Sequence, residues 1–168
     1  MRWEEVNLDA GTWSLPGART KNGQPHVVPL TAEAVELLRT VKRRKGAEFV
    51  FEGPRKTAVS GFGKVKVRLD TALAQAAEET DYKAVPWVLH DLRRTVATGL
   101  QRLGVRLEVT EAVLNHVSGS RSGIVGVYQR HAWEAEKAAA LRAWTVQVLA
   151  GAEGREPGQN VLPLARAD

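Results

Sequence analysis

The chain has no cysteine, a single methionine and only two tyrosines. Without cysteine there are neither disulfides nor thiolate metal ligands, a composition that fits a reducing, cytoplasmic setting. No stretch approaches the run of roughly 18 apolar residues that a membrane span needs. The N-terminus is mixed and charged, with no basic stretch followed by an apolar core, so a secretory signal is not expected. The four histidines, His26, His90, His116 and His131, do not fall at metal-ligand spacings. Neither a metal site nor a small-molecule cofactor is therefore expected. No internal repeat is present.

What the chain has instead is ordinary bulk and an uneven distribution of charge. Its 168 residues, 43% of them hydrophobic, suffice for one soluble domain with a sizeable core. The net charge is +5, but between Arg39 and Arg68 ten basic residues, including Lys42, Arg43, Lys64 and Lys66, face only two acids, Glu48 and Glu52. Part of that surplus serves as a solvated face. The rest is what a phosphate-tracking surface requires, because each neutralised phosphate releases condensed counterions. Nucleic acid is the favoured partner.

Taken in order, Met1 to Leu30 reads as β structure. Trp3, Val6 and Leu8 begin a strand, Asp9-Ala10-Gly11 turns it, Thr12 to Leu15 returns, and His26 to Leu30 makes a third strand. Asn22-Gly23 is a hairpin-turn signal that sets Lys21 near a tip. On pattern alone Lys21 is either a solvated turn residue or a long stem reaching away from the sheet. Thr31 caps a helix that carries Glu33 in its first turn and a staple from Leu30 to Val35. Val35, Leu38 and Val41 then face inward and Arg39, Lys42 and Arg43 outward, until the helix stops near Gly46. Phe49-Val50-Phe51 is a short strand or buried loop. A second helix over 61–79 carries Phe62, Val65, Leu69, Leu73 and Ala76 on a core-facing stripe. The third holds Leu92, Val96, Leu100 and Leu103 and stops at Gly104. A fourth spans 107–115, and an Ala-rich fifth spans 133–149 with Ala140, Leu141, Trp144 and Val148 inward. The expected fold is α+β, mostly helical with a small N-terminal antiparallel three-stranded sheet. One domain covers 1–150, and a flexible tail over 151–168 is interrupted by Val161-Leu162-Pro163-Leu164.

The chemistry concentrates between His90 and Tyr128. Within His90-Asp91-Leu92-Arg93-Arg94-Thr95, residues three apart share a helical face, so His90 and Arg93 can offer an imidazole and a guanidinium to one phosphate. Leu114-Asn115-His116 adds a second imidazole. A Gly/Ser stretch over 118–123 then leads to Val127-Tyr128-Gln129-Arg130-His131, whose phenol is a candidate nucleophile. Each residue also has a plainer role: His90 capping its helix, Arg93 paired with Asp91 or Glu111, His116 in a core, Tyr128 in packing. The region from 90 to 116 has the outline of a helix-turn-helix as well. Its second helix carries Glu108 and Glu111, which phosphate would repel, and that makes it a poor groove reader.

These three boxes in this order resemble the C-terminal catalytic domain of the tyrosine recombinases, specifically phage-type integrases, over nearly the whole chain to about Leu149. The string T-K-N-G followed by H-V-V-P-L is similar to the family's β-hairpin lysine. The resemblance implies site-specific cleavage and rejoining of double-stranded DNA through a 3′-phosphotyrosyl intermediate, without a cofactor. Tyr128 would attack phosphorus, Arg93 and His116 would donate to the phosphate, His90 would assist proton movement at the tyrosine, and Lys21 would protonate the leaving 5′ oxygen. Arg94 and Arg130, with Lys42, Arg43, Lys64 and Lys66, are the candidate DNA contacts. In relatives a C-terminal segment docks on a neighbouring protomer, so the apolar cluster in the tail is either a contact for a homo-oligomer on DNA or inert.

Two departures qualify the match. Asn115 stands where the family usually has Gly. The family also uses an arginine in a T-G-x-R box upstream of the Trp-x-x-Val-x-Leu strand, and this chain begins at that strand. Arg2, directly before Trp3, does not take the role. The expectation is the rear two-thirds of a catalytic domain without its N-terminal DNA clamp. It is either a recombinase fragment that is weak or inactive alone, or a non-catalytic DNA-binding or protein-interaction remnant. Loss of one such donor lowers rates on the order of 10²–10³-fold.

Overall fold

The structure, a computed structural model, describes residues 1–53, 56–80, 83, 85–116 and 133–155. The fold is α+β, as the sequence predicts. Among the described residues, β1 (Val6–Asn7), β2 (Thr12–Leu15) and β3 (His26–Pro29) form an antiparallel sheet in the order β1-β2-β3, with Val6 opposite Trp13 and Leu15 opposite His26. The helices are α1 (Ala32–Thr40), α2 (Phe62–Glu78), α3 (Leu89–Arg102), α4 (Leu107–Leu114) and α5 (Glu134–Ala152). No helix among the described residues is long and apolar enough to cross a membrane.

The first strand is shorter than its pattern predicts, because Trp3–Glu5 is a 3-10 turn. The cause is Glu5. Its buried carboxylate accepts the Arg2 backbone N–H at 3.0 Å and the Trp13 indole N–H at 3.2 Å, and it pairs with the Arg19 guanidinium. One carboxylate thus ties the N-terminal turn to β2 and to the segment entering the hairpin. Helix α1 starts as expected, with Thr31 Oγ1 accepting the Ala34 N–H at 3.4 Å. It ends at Thr40, six residues before Gly46, with Val41 already extended at φ −71° and ψ 116°. Continuing it would set Arg39 beside Lys42 and Arg43, and Lys42 beside Lys45, at the three- and four-residue spacings where like charges repel.

The core lies where α3, α4 and α5 meet. Leu100, Val109 and Ala140 are buried there, surrounded by Val96, Val105, Val113, Trp133 and Trp144. Gly99 lets α3 and α5 approach: a Cβ at that position would lie 2.0 Å from Trp144 Cζ3. On the other side of α5, Lys137 Nζ donates to the Val27 carbonyl at 2.7 Å, which fixes β3 against that helix.

The stripe on α2 is a correction. Phe62, Val65 and Leu69 are 55%, 56% and 44% exposed, and no residue of α2 is buried. Periodicity identifies an apolar face but not the surface opposite it, and the described residues supply none. Val148, also expected inward, is exposed as well. What holds α2 locally is Lys66, which pairs with Asp70 at 2.7 Å and sits 4.3 Å from the centre of the Trp87 ring.

Because the α3–α5 contact has no room for a methyl group, Gly99→Ala is expected to destabilise the fold by about 1–3 kcal/mol, as overpacked cores do. Denaturant titration of the variant against the unchanged chain measures this.

Candidate functional site

The site is organised by the end of α4. Asn115 adopts the left-handed conformation, φ 51° and ψ 38°. The His116 N–H returns to the Glu111 carbonyl at 2.9 Å, and the Asn115 N–H reaches the Ala112 carbonyl at 3.4 Å. This 6→1 and 5→2 pair is a Schellman motif, in which glycine usually takes the left-handed position and asparagine is the next best choice. The Leu-Asn-His box is therefore a helix stop with a histidine directly after it. The Asn at this position is accommodated by the left-handed backbone.

The motif satisfies the carbonyls of Glu111 and Ala112 and leaves those of Val113, Leu114 and Asn115 facing outward. Helix ends with unpaired carbonyls need outside donors. Two different elements supply them. Arg93 of α3 donates through Nη2 to Leu114. Asn22 of the hairpin donates through Nδ2 to the Asn115 carbonyl at 3.2 Å and to Asn115 Oδ1 at 3.0 Å. The His26 imidazole of β3 lies beside the Val113 backbone, which raises its pKa in part.

Helix α3 presents His90 and Arg93 from its first turns. Its start is set by Asp91, whose Oδ2 accepts the Val88 N–H at 2.8 Å. That bond, followed by the hydrogen bond from Arg94, holds the Asp91 carboxyl below its ordinary range. Asp91 pairs with Arg94 at 2.7 Å. His90 is exposed one turn before the half-buried Arg93, and His116 is exposed beyond Asn115.

Lys21 is exposed on a hairpin loop of fixed shape. Thr20 Oγ1 lies 2.9 and 2.7 Å from the carbonyls of Gly17 and Gln24, which share its one proton, and Asn22 Oδ1 accepts the Gln24 N–H at 3.0 Å. Gly23 has φ +71°, as the Asn-Gly signal predicts, and a Cβ on Gly17 would come within 2.3 Å of the Gly23 carbonyl oxygen. The Asn22 tie brings this loop to the Leu-Asn-His box, and Arg93 meets the same box from the other side. Tyr128, Arg130 and His131 lie outside the described residues.

Of the candidate DNA contacts, Lys42, Arg43, Lys64 and Arg94 are exposed. Arg43 sits 5.2 Å from the Trp3 ring centre. Lys66 is largely occupied by Asp70 and Trp87. A cavity of about 460 Å³ between α3 and α5 includes Arg94 and Arg102 but not His90, Arg93 or His116. Sequence reasoning missed His26 and Asn22 as site-building residues. The only signal for Asn22 was its place in the turn, and His26 read as a strand residue. No group of His, Asp and Glu side chains among the described residues could hold a metal ion.

The sequence of this α+β domain has counterparts among known proteins. The profile of the phage integrase family matches residues 1–134. Prophage integrase IntZ of Escherichia coli is 34% identical over 143 residues, which is 84% of this chain and 33% of that protein. Prophage integrase IntA of the same organism is 28% identical over 154 residues, 91% of this chain and 35% of that protein. The chain belongs to the phage integrase family, and it spans about a third of the length of these curated relatives. No solved structure matches it.

His26 gives the site a pH dependence. Burial lowers its pKa from the ordinary 6.5, the nearby Lys137 and Arg93 charges lower it further, and the Val113 backbone raises it in part. The unfolded chain therefore binds this proton more readily than the folded one. Stability is full above about pH 6.5 and falls as the pH drops toward the folded-state value. The thermal midpoint is expected to fall between about pH 7 and about pH 5, and to fall less in His26→Gln. Calorimetry across that range checks it.

Proposed function

We propose that this chain is the catalytic part of a tyrosine-type site-specific recombinase that breaks and rejoins double-stranded DNA through a 3′-phosphotyrosyl intermediate. The observation that carries the reading is the convergence on α4's end. Arg93 is bonded to Leu114, Asn22 to Asn115, and His116 follows directly, so groups suited to a phosphate approach from three parts of the chain. Family membership and the exposed basic residues Lys42, Arg43 and Lys64 support DNA as the partner. Such a substrate is met in the cytoplasm, the setting suggested by the cysteine-free composition.

In this reading Tyr128 attacks phosphorus, and Arg93 and His116 hold the non-bridging oxygens, on which charge builds in the transition state. His90 takes up the tyrosine proton, and Lys21 donates one to the departing 5′ oxygen. A guanidinium has five N–H donors, and anchoring one of them on Leu114 sets the plane of the fork for the phosphate. The covalent link conserves the energy of the broken bond, so rejoining needs no cofactor. The competing reading is a non-catalytic DNA-binding remnant.

A nicked duplex that traps the cleaved strand separates the two. The expected result is a covalent protein–DNA adduct, absent in Tyr128→Phe and reduced about 10²–10³-fold in Arg93→Ala. Binding without any adduct even when the upstream arginine segment is restored, or an adduct that survives in Tyr128→Phe, contradicts the catalytic reading.

A further inference from the structure

The geometry points to a latch: we propose that Asn22 and Asn115 form a side-chain clasp that positions Lys21 for proton transfer. This inference rests on the catalytic reading above and adds two positioning residues to it. Asn22 immediately follows Lys21. Its Nδ2 reaches both the Asn115 carbonyl at 3.2 Å and Asn115 Oδ1 at 3.0 Å, across 93 residues of sequence. The hairpin loop that it clasps cannot easily deform. Thr20 closes it on the carbonyls of Gly17 and Gln24, the backbones of Gly17 and Gly23 are in close approach, and Arg19 is anchored on buried Glu5.

A lysine has four flexible methylenes, so its ammonium is delivered reproducibly only if its backbone is held. The clasp supplies that hold at the residue directly after Lys21. It also gives a purpose to the side chain at 115. Glycine would form the same helix stop at lower conformational cost, but it would offer Asn22 only a carbonyl. Asparagine accepts the left-handed backbone and adds Oδ1 as a second acceptor.

The step at issue is protonation of the leaving group. The bond from Tyr128 Oη to phosphorus forms, the P–O5′ bond breaks, the tyrosine proton passes to His90, and the Lys21 ammonium proton passes to O5′, which leaves as a hydroxyl. If the bridging 5′ oxygen is replaced by sulfur, the leaving group departs as a stable thiolate and needs no proton.

The test measures adduct formation on nicked duplexes with oxygen or sulfur at the bridging position, using the whole chain and its Lys21→Ala, Asn22→Ala and Asn115→Gly variants. On the oxygen duplex, Lys21→Ala is expected to lose about 10²–10⁴-fold, the usual worth of a general acid, and to recover on sulfur. Asn22→Ala is expected to lose about 10- to 100-fold on oxygen, the cost of a misplaced catalytic group, and likewise to recover on sulfur. Asn115→Gly, which keeps the helix stop and removes only Oδ1, is expected to show the same selectivity to a smaller degree. It also stands in if Asn22→Ala does not fold.

If Lys21→Ala is selective for oxygen but the asparagine variants slow both duplexes equally, or neither, the clasp is only structural or idle and the proposal fails. If Lys21→Ala itself slows both duplexes equally, the general-acid role of Lys21 fails, and the latch with it. No adduct on either duplex, even with an upstream segment carrying the T-G-x-R arginine supplied, overturns the catalytic reading as a whole.

Discussion

The outward carbonyls at the end of α4 are the constraint on which the rest of the site depends. A helix C-terminus carries partial negative charge and unpaired acceptors, and leaving them buried without partners is costly. In this chain Arg93 of α3 is bonded to Leu114 and Asn22 of the hairpin to Asn115, while His26 of the sheet lies beside the Val113 backbone. A helix end would ordinarily repel a phosphate. Once its carbonyls are occupied by donors, the same end becomes the point at which a guanidinium, a turn and an imidazole are held in register.

The supports behind that point are equally specific. Glu5 gathers Arg2, Trp13 and Arg19, so the N-terminal turn, β2 and the hairpin entry are tied together. Lys137 bonds the Val27 carbonyl and fastens β3 to α5, while α5 packs on α3 through the gap left by Gly99. The sheet and the helical core therefore share α5 as a common wall. By contrast, α2 leaves Phe62, Val65 and Leu69 exposed.

Much of the fold was legible because its signals are local. Thr31 as a cap, Asn22-Gly23 as a turn, and the period of Val96 and Leu100 each depend on neighbours within a few residues. The local reading failed where charge or the presence of a partner, and not periodicity, decided the outcome. Glu5 converted the start of a strand into a 3-10 turn, and the cation run after Thr40 ended α1 early. The inward stripe of α2 found nothing opposite it. At the site, His90, Arg93 and His116 were legible as residue types in ordered boxes, and the turn at Lys21 was legible too. The ties that bring those boxes together were not. Asn22 and Asn115 are far apart in sequence, and no pattern announces a hydrogen bond between them. Asn115 itself read as a misfit until its left-handed backbone explained it.

The most direct measurement is an NMR titration of the chain with a short DNA duplex, following the imidazole signals of His90 and His116 and the Nε signal of Arg93. If α4's end assembles one phosphate site, all three shift along a single binding curve, and Arg93→Ala suppresses the response of both histidines. Independent curves, or histidine shifts unaffected by Arg93→Ala, would contradict a shared site.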